Sequence, residues 1–279
     1  MKKIFIGILV IISFILIGCS NEEDLDVPIL KDEIVVVDKL TFLCSYESNT
    51  ASLTKGKFDS DEFEKVVIPS SITHNNIEFN VTSISDEAFA YQNISSVTIP
   101  DGVISIGYKS FYNCIYLSNI SSSKYLETIK ASAFQNCVLL SYFSFTENIT
   151  YIGQSAFENC RSLERVVLPN ITQINHRTFY GCRNITYLEL PQTLTQIDNY
   201  AFYECKQLSS ITLPDSMKSI GSYVFLECLS LKEIVIPKGV YTIGKNVFYE
   251  DTDIYCEINE KPDTWDSEWT NNKNIVWGY

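Results

Sequence analysis

The chain has 279 residues, of which 46% are hydrophobic and 20% are charged, and its formal net charge at pH 7 is −13. This composition is typical of a globular protein and excludes a largely disordered chain. The acidic excess argues against binding to nucleic acid, because such binding relies on basic residues that neutralise phosphates.

The first 18 residues have the pattern of a secretory signal peptide. Lys2 and Lys3 precede an apolar run from Ile4 to Ile17 that is broken only by Gly7 and Ser13. The order of charge and apolar residues favours export. The run is too short for a good membrane span.

Residues 16–19 read Leu-Ile-Gly-Cys and resemble the lipobox of bacterial lipoproteins. The resemblance implies cleavage before Cys19 and lipidation of its thiol. The alternative is an ordinary signal peptide that happens to contain a cysteine. Residues 19–33 then form an acidic tether, and Ser20–Asp24 is similar to the segment by which some Gram-negative anaerobes send lipoproteins outward. We therefore expect a lipid anchor in the outer membrane with the protein facing the cell exterior.

Residues 34–65 show the alternation of short strands. Apolar runs at 34–37, 40–43 and 51–53 predict the strands of an N-terminal cap. A cap is physically required here because the open end of a repeat array would expose apolar surface.

Residues 66–250 carry a repeat of 22 or 23 residues, which predicts stacked supersecondary units. An isoleucine stands five residues before each repeat's central phenylalanine, and a cysteine stands three residues after it in the six inner repeats. The central phenylalanines are Phe89, Phe111, Phe134, Phe157, Phe179, Phe202, Phe225 and Phe248.

Each repeat continues with a strand signal. In the coil of Phe157 the signal is Leu163-x-x-Val166-x-Leu168, and Pro169 follows it. Proline cannot donate a hydrogen bond to a ladder, so it is suited to the end of a strand.

The repeated unit, Ile-Gly-x-x-Ala-Phe-x-x-Cys-x-x-Leu-x-x-Ile-x-Leu-Pro, resembles the BspA-like family of bacterial surface leucine-rich-repeat proteins. The resemblance implies an α/β leucine-rich-repeat solenoid of about eight coils, with short helical turns and β-rich caps at both ends. It also places a parallel sheet at the Leu-x-x-Leu-x-Leu segment.

Residues 251–279 are expected to form the C-terminal cap, with strands at 254–258 and 275–279. Trp265, Trp269 and Trp277 all fall within the last fifteen residues. They are interpreted as a lid over the final coil, with a carbohydrate-stacking site as the alternative.

The repeat cysteines are interpreted as buried thiols that act as small hydrophobic groups. Export favours disulfides in general. However, equivalent side chains on successive coils point in parallel, which disfavours disulfide geometry. A zinc site is less favoured still, because the columns contain neither a nearby histidine nor a Cys-x-x-Cys motif. No metal and no cofactor are expected.

The sequence contains no recognisable catalytic motif. His74 and His176 are interpreted as surface residues, and no nucleophile elbow, phosphate loop or His-Glu-x-x-His motif is present. A pair of carboxylates for glycoside hydrolysis remains open, because 34 acidic residues offer many chance pairs.

The outward positions of the predicted sheet supply candidate binding residues. Tyr142, Arg165 and Tyr187 fall side by side on adjacent coils. Arg161 and Arg183 share a column with Lys206 and would add a local basic band. Arginine and tyrosine are enriched at interface hot spots. The alternative is scattered, solvated charge.

These observations predict a cell-surface lipoprotein that acts as a binding or adhesion module for a protein or glycan on a host or neighbouring cell. One alternative is a polysaccharide-processing enzyme or a subunit of one. Another is a structural protein of the envelope.

Overall fold

The computed structural model describes residues 32–58, 64–272 and 274–279. The predicted signal peptide, the lipidation site at Cys19 and nearly all of the predicted tether lie outside these residues. Within the part of the chain that is described, no helix is long and apolar enough to cross a membrane.

The described residues are built from short strands and turns. The strands are β1 (Glu33–Val37), β2 (Leu40–Ser45), β3 (Thr50–Gly56), β4 (Glu64–Val67), β5 (Ser71–His74), β6 (Ile77–Ile84), β7 (Ile94–Thr98), β8 (Ser105–Ile106), β9 (Asn119–Ser121), β10 (Thr128–Ile129), β11 (Tyr151–Ile152), β12 (Arg165–Val167), β13 (Gln173–Ile174), β14 (Tyr187–Glu189), β15 (Gln196–Ile197), β16 (Ser219–Ile220), β17 (Glu233–Ile236), β18 (Thr242–Ile243), β19 (Asp253–Cys256) and β20 (Ile275–Trp277).

The N-terminal cap is an antiparallel meander that joins the solenoid through one parallel pairing. β1, β2 and β3 pair in antiparallel order, as the alternation in the sequence predicts. β3 then pairs in parallel with β6, which also forms an antiparallel pair with β5. Phe58 stacks on Phe89 with ring centroids 6.1 Å apart, so the cap also closes the end of the core.

The leucine strands form parallel pairs, which confirms the predicted position of the sheet. They assemble in three pieces, β4-β7-β9, β12-β14 and β17-β19-β20. In two coils the pairing is reduced: Tyr142 forms only an isolated bridge, and residues 208–213 form no strand. Leu208, Ile211 and Leu213 are nevertheless buried, so the side-chain pattern is satisfied there without the backbone pairing.

A second parallel ladder runs along the isoleucines that precede the phenylalanines. This isoleucine ladder was not predicted. It consists of the end of β6 with β8, β10 and β11, followed by β13, β15, β16 and β18. The two parts meet where the repeat shortens from 23 to 22 residues. There the Asn175 side-chain amide donates to the Ile152 carbonyl at 2.7 Å.

The predictions of short helical turns and of an α/β class are wrong, because the described residues form strands and turns but no helix. In the turn around Phe157, the N–H groups of Ser155, Phe157 and Asn159 donate to carbonyls of the next coil at 2.7–2.9 Å, and the alternate N–H groups donate three residues back. Ser155 and Asn159 have φ of 54° and 59°. Left-handed residues interrupt a right-handed helix, and a bond to the next coil replaces the bond to the residue four back that an α-helix requires. We call the turn around each central phenylalanine the anchor turn. The anchor turns therefore form a third ladder of hydrogen bonds between coils.

The core is a continuous stack of phenylalanine rings inside the anchor turns. Successive rings from Phe89 to Phe248 are near-parallel, with interplanar angles of 1–19° and centroids 5.1–6.0 Å apart. Offset stacking of this kind stabilises beyond simple burial. The centroid spacing also measures the separation of the coils.

The C-terminal cap closes the other end of the core with tryptophans. Trp265 and Trp269 are buried, and their rings lie 4.9 Å apart. Trp269 meets Phe248 edge to face at 6.1 Å, and the Trp265 indole N–H donates to the Val240 carbonyl at 3.2 Å. The burial of Trp265 and Trp269 agrees with the predicted lid and leaves neither ring available for stacking on a sugar. Trp277 packs against both rings, at 6.0 and 6.2 Å, but is only half-buried.

Candidate functional site

The three residues predicted to lie side by side do so, and we call them the sheet-face patch: Tyr142, Arg165 and Tyr187. Arg165 is the parallel partner of Tyr142 in a bridge and of Tyr187 in the β12–β14 pair. Tyr142 and Tyr187 remain 56% and 42% exposed, and Arg165 is exposed as well. The row presents two aromatic rings and one guanidinium to solvent.

Two contacts hold two of the three patch side chains, Arg165 and Tyr187. The Arg165 guanidinium carbon lies 3.8 Å from the Tyr187 ring centroid, which is close for a cation–π contact. The Tyr187 hydroxyl donates to Glu189 Oε2 at 2.7 Å. Glu189 follows two residues after Tyr187 on β14, so the strand geometry itself brings the two side chains to the same face.

The other two candidate residues, Arg161 and Arg183, differ in their ion pairing. Arg161 is exposed and forms no ion pair among the described residues. Arg183 donates through Nε and Nη2 to Glu204 Oε2 at 3.0 and 2.7 Å. The Glu204 carboxylate therefore compensates the charge of Arg183, so the local positive charge comes from Arg161 and Arg165 more than from Arg183.

The repeat cysteines are buried in the core, and each of the eight cysteines in the described residues is a free thiol. The thiol of Cys160 donates to the Phe134 carbonyl of the preceding coil at 3.2 Å. Equivalent contacts of 3.0–3.5 Å recur at the other inner repeats. Burial raises the pKa of Cys114 and Cys228 to about 12, which disfavours the reactive thiolate.

The histidines are half-buried rather than fully exposed. His74 Nε2 lies 2.8 Å from Glu33 Oε2 in the N-terminal cap. His176 lies on an anchor turn, with its ring edge to face against Tyr200 at 5.9 Å. The two therefore occupy separate parts of the protein.

A cluster of tyrosines on the anchor turns was missed at the level of sequence. Tyr180 stacks on Tyr203 at 4.9 Å, and Tyr200 stacks on Tyr223 at 4.7 Å. The Arg177 guanidinium lies over Tyr180 and Tyr200, at 5.0 and 5.4 Å from their centroids. The signal was the recurrence of tyrosine one residue after and two residues before the central phenylalanine.

A shallow groove of about 350 Å³ adjoins this cluster. It crosses the isoleucine ladder near its C-terminal end, and its lining includes His176, Gln196, Asp198, Asn199 and Ser222. Asp198 supplies the sole carboxylate among the described residues that line it. A glycoside hydrolase mechanism of the usual kind needs two carboxylates flanking the bond, so the groove lacks that pairing.

The histidine, cysteine and acidic side chains that could bind a metal ion are dispersed over the described residues. Within residues 32–58, 64–272 and 274–279, no three histidine, cysteine or acidic side chains are grouped so that they could hold a metal ion.

Parallel ladders, stacked phenylalanines and terminal caps together define a solenoid of leucine-rich repeats. Solenoids of this class present extended surfaces for binding and are generally protein-interaction modules rather than enzymes.

The family model for the BspA type leucine rich repeat region, which comprises six copies of the repeat, matches residues 82–174 and 162–266 of this chain. The chain belongs to this family. A search of curated protein sequences gives no match.

Crystal structures of bacterial leucine-rich-repeat proteins share the fold. A protein from Bacteroides ovatus is 25% identical with a TM-score of 0.66, and the match covers 88% of this chain and 71% of that one. A protein from T. pallidum is also 25% identical with a TM-score of 0.62, and the match covers 71% and 91% of the two chains. A leucine rich cell surface protein from Faecalibacterium prausnitzii is 22% identical with a TM-score of 0.55 over 88% and 95%.

Proposed function

We propose that this protein is a lipid-anchored binding module of the cell surface, and that it holds a protein ligand against the sheet-face patch. The observation that carries the proposal is the exposed row of Tyr142, Arg165 and Tyr187 in parallel register on three coils.

The chemistry of the patch favours a protein over a glycan at this face. Tyrosine and arginine dominate the hot spots of protein interfaces. A strand row offers a flat surface of the kind that standard interfaces use, rather than the concave site that small ligands need.

Two of the three patch side chains are also held in place before any ligand binds. Arg165 is held on the Tyr187 ring, and the Tyr187 hydroxyl is held by Glu189. Ordering rotamer-rich side chains on binding costs about 0.5–1.5 kcal/mol each. The preformed contacts reduce that cost for the arginine and one tyrosine.

The binding test uses the full chain on a host-protein array, followed by affinity measurements on the protein it captures. We expect Tyr142→Ala, Arg165→Ala and Tyr187→Ala each to weaken binding by about 1–2 kcal/mol or more. Tyr241→Ala is the matched control, because this tyrosine is 58% exposed and lies outside the patch. Unchanged affinity in all three patch variants would reject this face, and capture by a glycan array alone would favour a glycan ligand.

The surface location rests on the N-terminal sequence. A signal-like segment ends at Leu16-Ile17-Gly18-Cys19, and an acidic segment follows it. The Faecalibacterium prausnitzii protein of similar fold is described as a cell surface protein, which is consistent with the same location. A lipid at Cys19 would supply the membrane affinity of an exported chain.

Substitution of Cys19 tests the anchor. Cys19→Ala should abolish incorporation of a labelled fatty acid and release the protein from the membrane fraction. Cys256→Ala is the control, because Cys256 is buried in the C-terminal cap. Retention of label and of membrane association in Cys19→Ala would contradict the anchor.

A further inference from the structure

The groove beside the tyrosine cluster differs from the sheet-face patch in place and in chemistry. It crosses β15, β16 and β18 of the isoleucine ladder and extends onto the anchor turns. Its volume of about 350 Å³ falls within the range of small-ligand sites. The groove runs across successive coils, so an occupant would lie along the solenoid.

Two glycines open this groove. A Cβ on Gly221 would lie 2.5 Å from the Asn199 backbone nitrogen, and a Cβ on Gly244 would lie 2.5 Å from that of Ser222. Neither position tolerates a side chain without backbone movement. The coils therefore approach closely, and the groove is lined by backbone and small polar side chains.

The Asp198 carboxylate and the Asn199 amide of the groove are held by hydrogen bonds. Asp198 accepts a hydrogen bond from Gln173 Nε2 at 2.8 Å through Oδ2 and one from Gln196 Nε2 at 2.6 Å through Oδ1. Asn199 Oδ1 accepts from the Ser222 N–H at 2.7 Å. A carboxylate has about four acceptor positions, so Asp198 retains capacity for two hydroxyl donors.

One aromatic ring lines the groove, and tyrosines of the anchor turns pack behind it. His176 lines the groove and packs edge to face against Tyr200, which in turn stacks on Tyr223. An imidazole ring beside fixed amide and carboxylate groups matches the two surfaces of a sugar ring, which has apolar C–H faces and equatorial hydroxyls.

The charge of the region excludes a polyanion. Among the described residues that line the groove, Asp198 is the one with a carboxylate, and the nearby Arg177 guanidinium is already placed over two phenol rings. The chain as a whole carries a charge of −13.

We propose that this groove binds a neutral polysaccharide lengthwise, with about one sugar unit per coil. The phenylalanine centroids of the coils concerned are 5.5–6.0 Å apart. The length of one pyranose unit in an extended chain is close to this spacing, so successive coils meet successive sugars. The coils present different groups, because Gly221 and Gly244 stand at the position of Asp198 on the next two coils. Asp198 accepts from sugar hydroxyls, and the His176 ring, which packs against Tyr200, borders the apolar face.

The site is tested with the purified full chain by affinity electrophoresis. Gels contain hydroxyethylcellulose, galactomannan, xylan or dextran as neutral polymers, and heparin as the polyanion. We expect at least one neutral polymer to retard the protein and heparin not to do so. Asp198→Asn, which keeps the side-chain shape, should weaken the retardation roughly tenfold or more, since hydrogen bonds to a charged acceptor are among the stronger ones.

His176→Ala supplies an independent variant if the melting temperature of Asp198→Asn falls. Tyr142→Ala is the control, because it changes the sheet-face patch and should leave the retardation unaltered. Retardation by no neutral polymer, by heparin alone, or equally in wild type and both groove variants would overturn the proposal. Loss of retardation in Tyr142→Ala alone would assign the sugar to the sheet face instead. Protein binding at the sheet-face patch is measured separately, so either proposal can fail without the other.

Discussion

The anchor turns and the leucine strands belong to the same coils, yet they constrain the chain to different degrees. In the anchor turn around Phe157, consecutive N–H groups are bonded within the coil or to the next one. The phenylalanine and cysteine of this turn are buried, and Ser155 and Asn159 require positive φ.

On the leucine strand, by contrast, residues alternate between the core and solvent. Val166 is buried, whereas its neighbour Arg165 is exposed. Pairing weakens to a single bridge at Tyr142 and is absent from residues 208–213. The anchor turn is therefore fixed by backbone bonding and burial, whereas the strand leaves alternate side chains in solvent.

The largest expected effect is a loss of stability at high pH, because six repeat thiols respond together. Burial raises the thiol pKa in the folded state, to about 12 for Cys114 and Cys228, whereas an unfolded cysteine ionises near about 8.5. The stability is therefore complete below about pH 8.5 and falls as the pH rises toward the folded values. Each such thiol contributes a loss of about 1.4 kcal/mol per pH unit in that window.

Urea unfolding at pH 7.5, 8.5 and 9.5 measures this slope. The double variant Cys114→Ala and Cys228→Ala should show a shallower dependence, because two of the contributing thiols are gone. An identical slope in the variant and in the wild type would contradict this role of the thiols. Recovery of disulfide-linked peptides between neighbouring coils would contradict it as well.

The next largest effect is expected from the phenylalanine stack. Phe157→Ala should lower the free energy of unfolding by roughly 3–5 kcal/mol, because it leaves a cavity between two stacked rings. Chemical denaturation measures the loss. A cost similar to that of Tyr142→Ala would mean that the inner and outer positions are not distinguished energetically.

A smaller effect is expected where coils touch through backbone alone. Gly153→Ala would place a Cβ 2.4 Å from the Ala131 backbone nitrogen and should cost about 1–3 kcal/mol. Gly239→Ala is the milder control, because its closest contacts, with Lys218 Nζ and the Met217 carbonyl oxygen, both lie at 3.1 Å rather than 2.4 Å. Equal melting temperatures for the two variants would show that the coils can separate without cost.

The smallest effect on stability is expected at the exposed strand positions. Tyr142→Ala should change the free energy of unfolding by no more than about 0.5 kcal/mol, because the side chain points away from the core. The same denaturation series measures it. A loss above about 1 kcal/mol would show that this row contributes to the fold and is not free to serve recognition alone.

The repeat by itself determined the class of fold, the position of the leucine strands, the burial of Phe157 and Cys160, and the neighbours of Arg165. A fixed period imposes one environment on each position of the coil, so burial and lateral contacts follow from the spacing.

Only the tertiary structure decided the backbone geometry of the turns, because hydrogen bonds between coils fix it. The turns could form helices as far as composition shows, but donation of Ser155 and Phe157 to the next coil holds them in another geometry. It also decided that Arg183 pairs with Glu204, and that Asp198, Asn199 and Ser222 meet in one groove beside His176. These contacts depend on side-chain rotamers and on the stacking of unlike coils, which a periodic pattern does not specify.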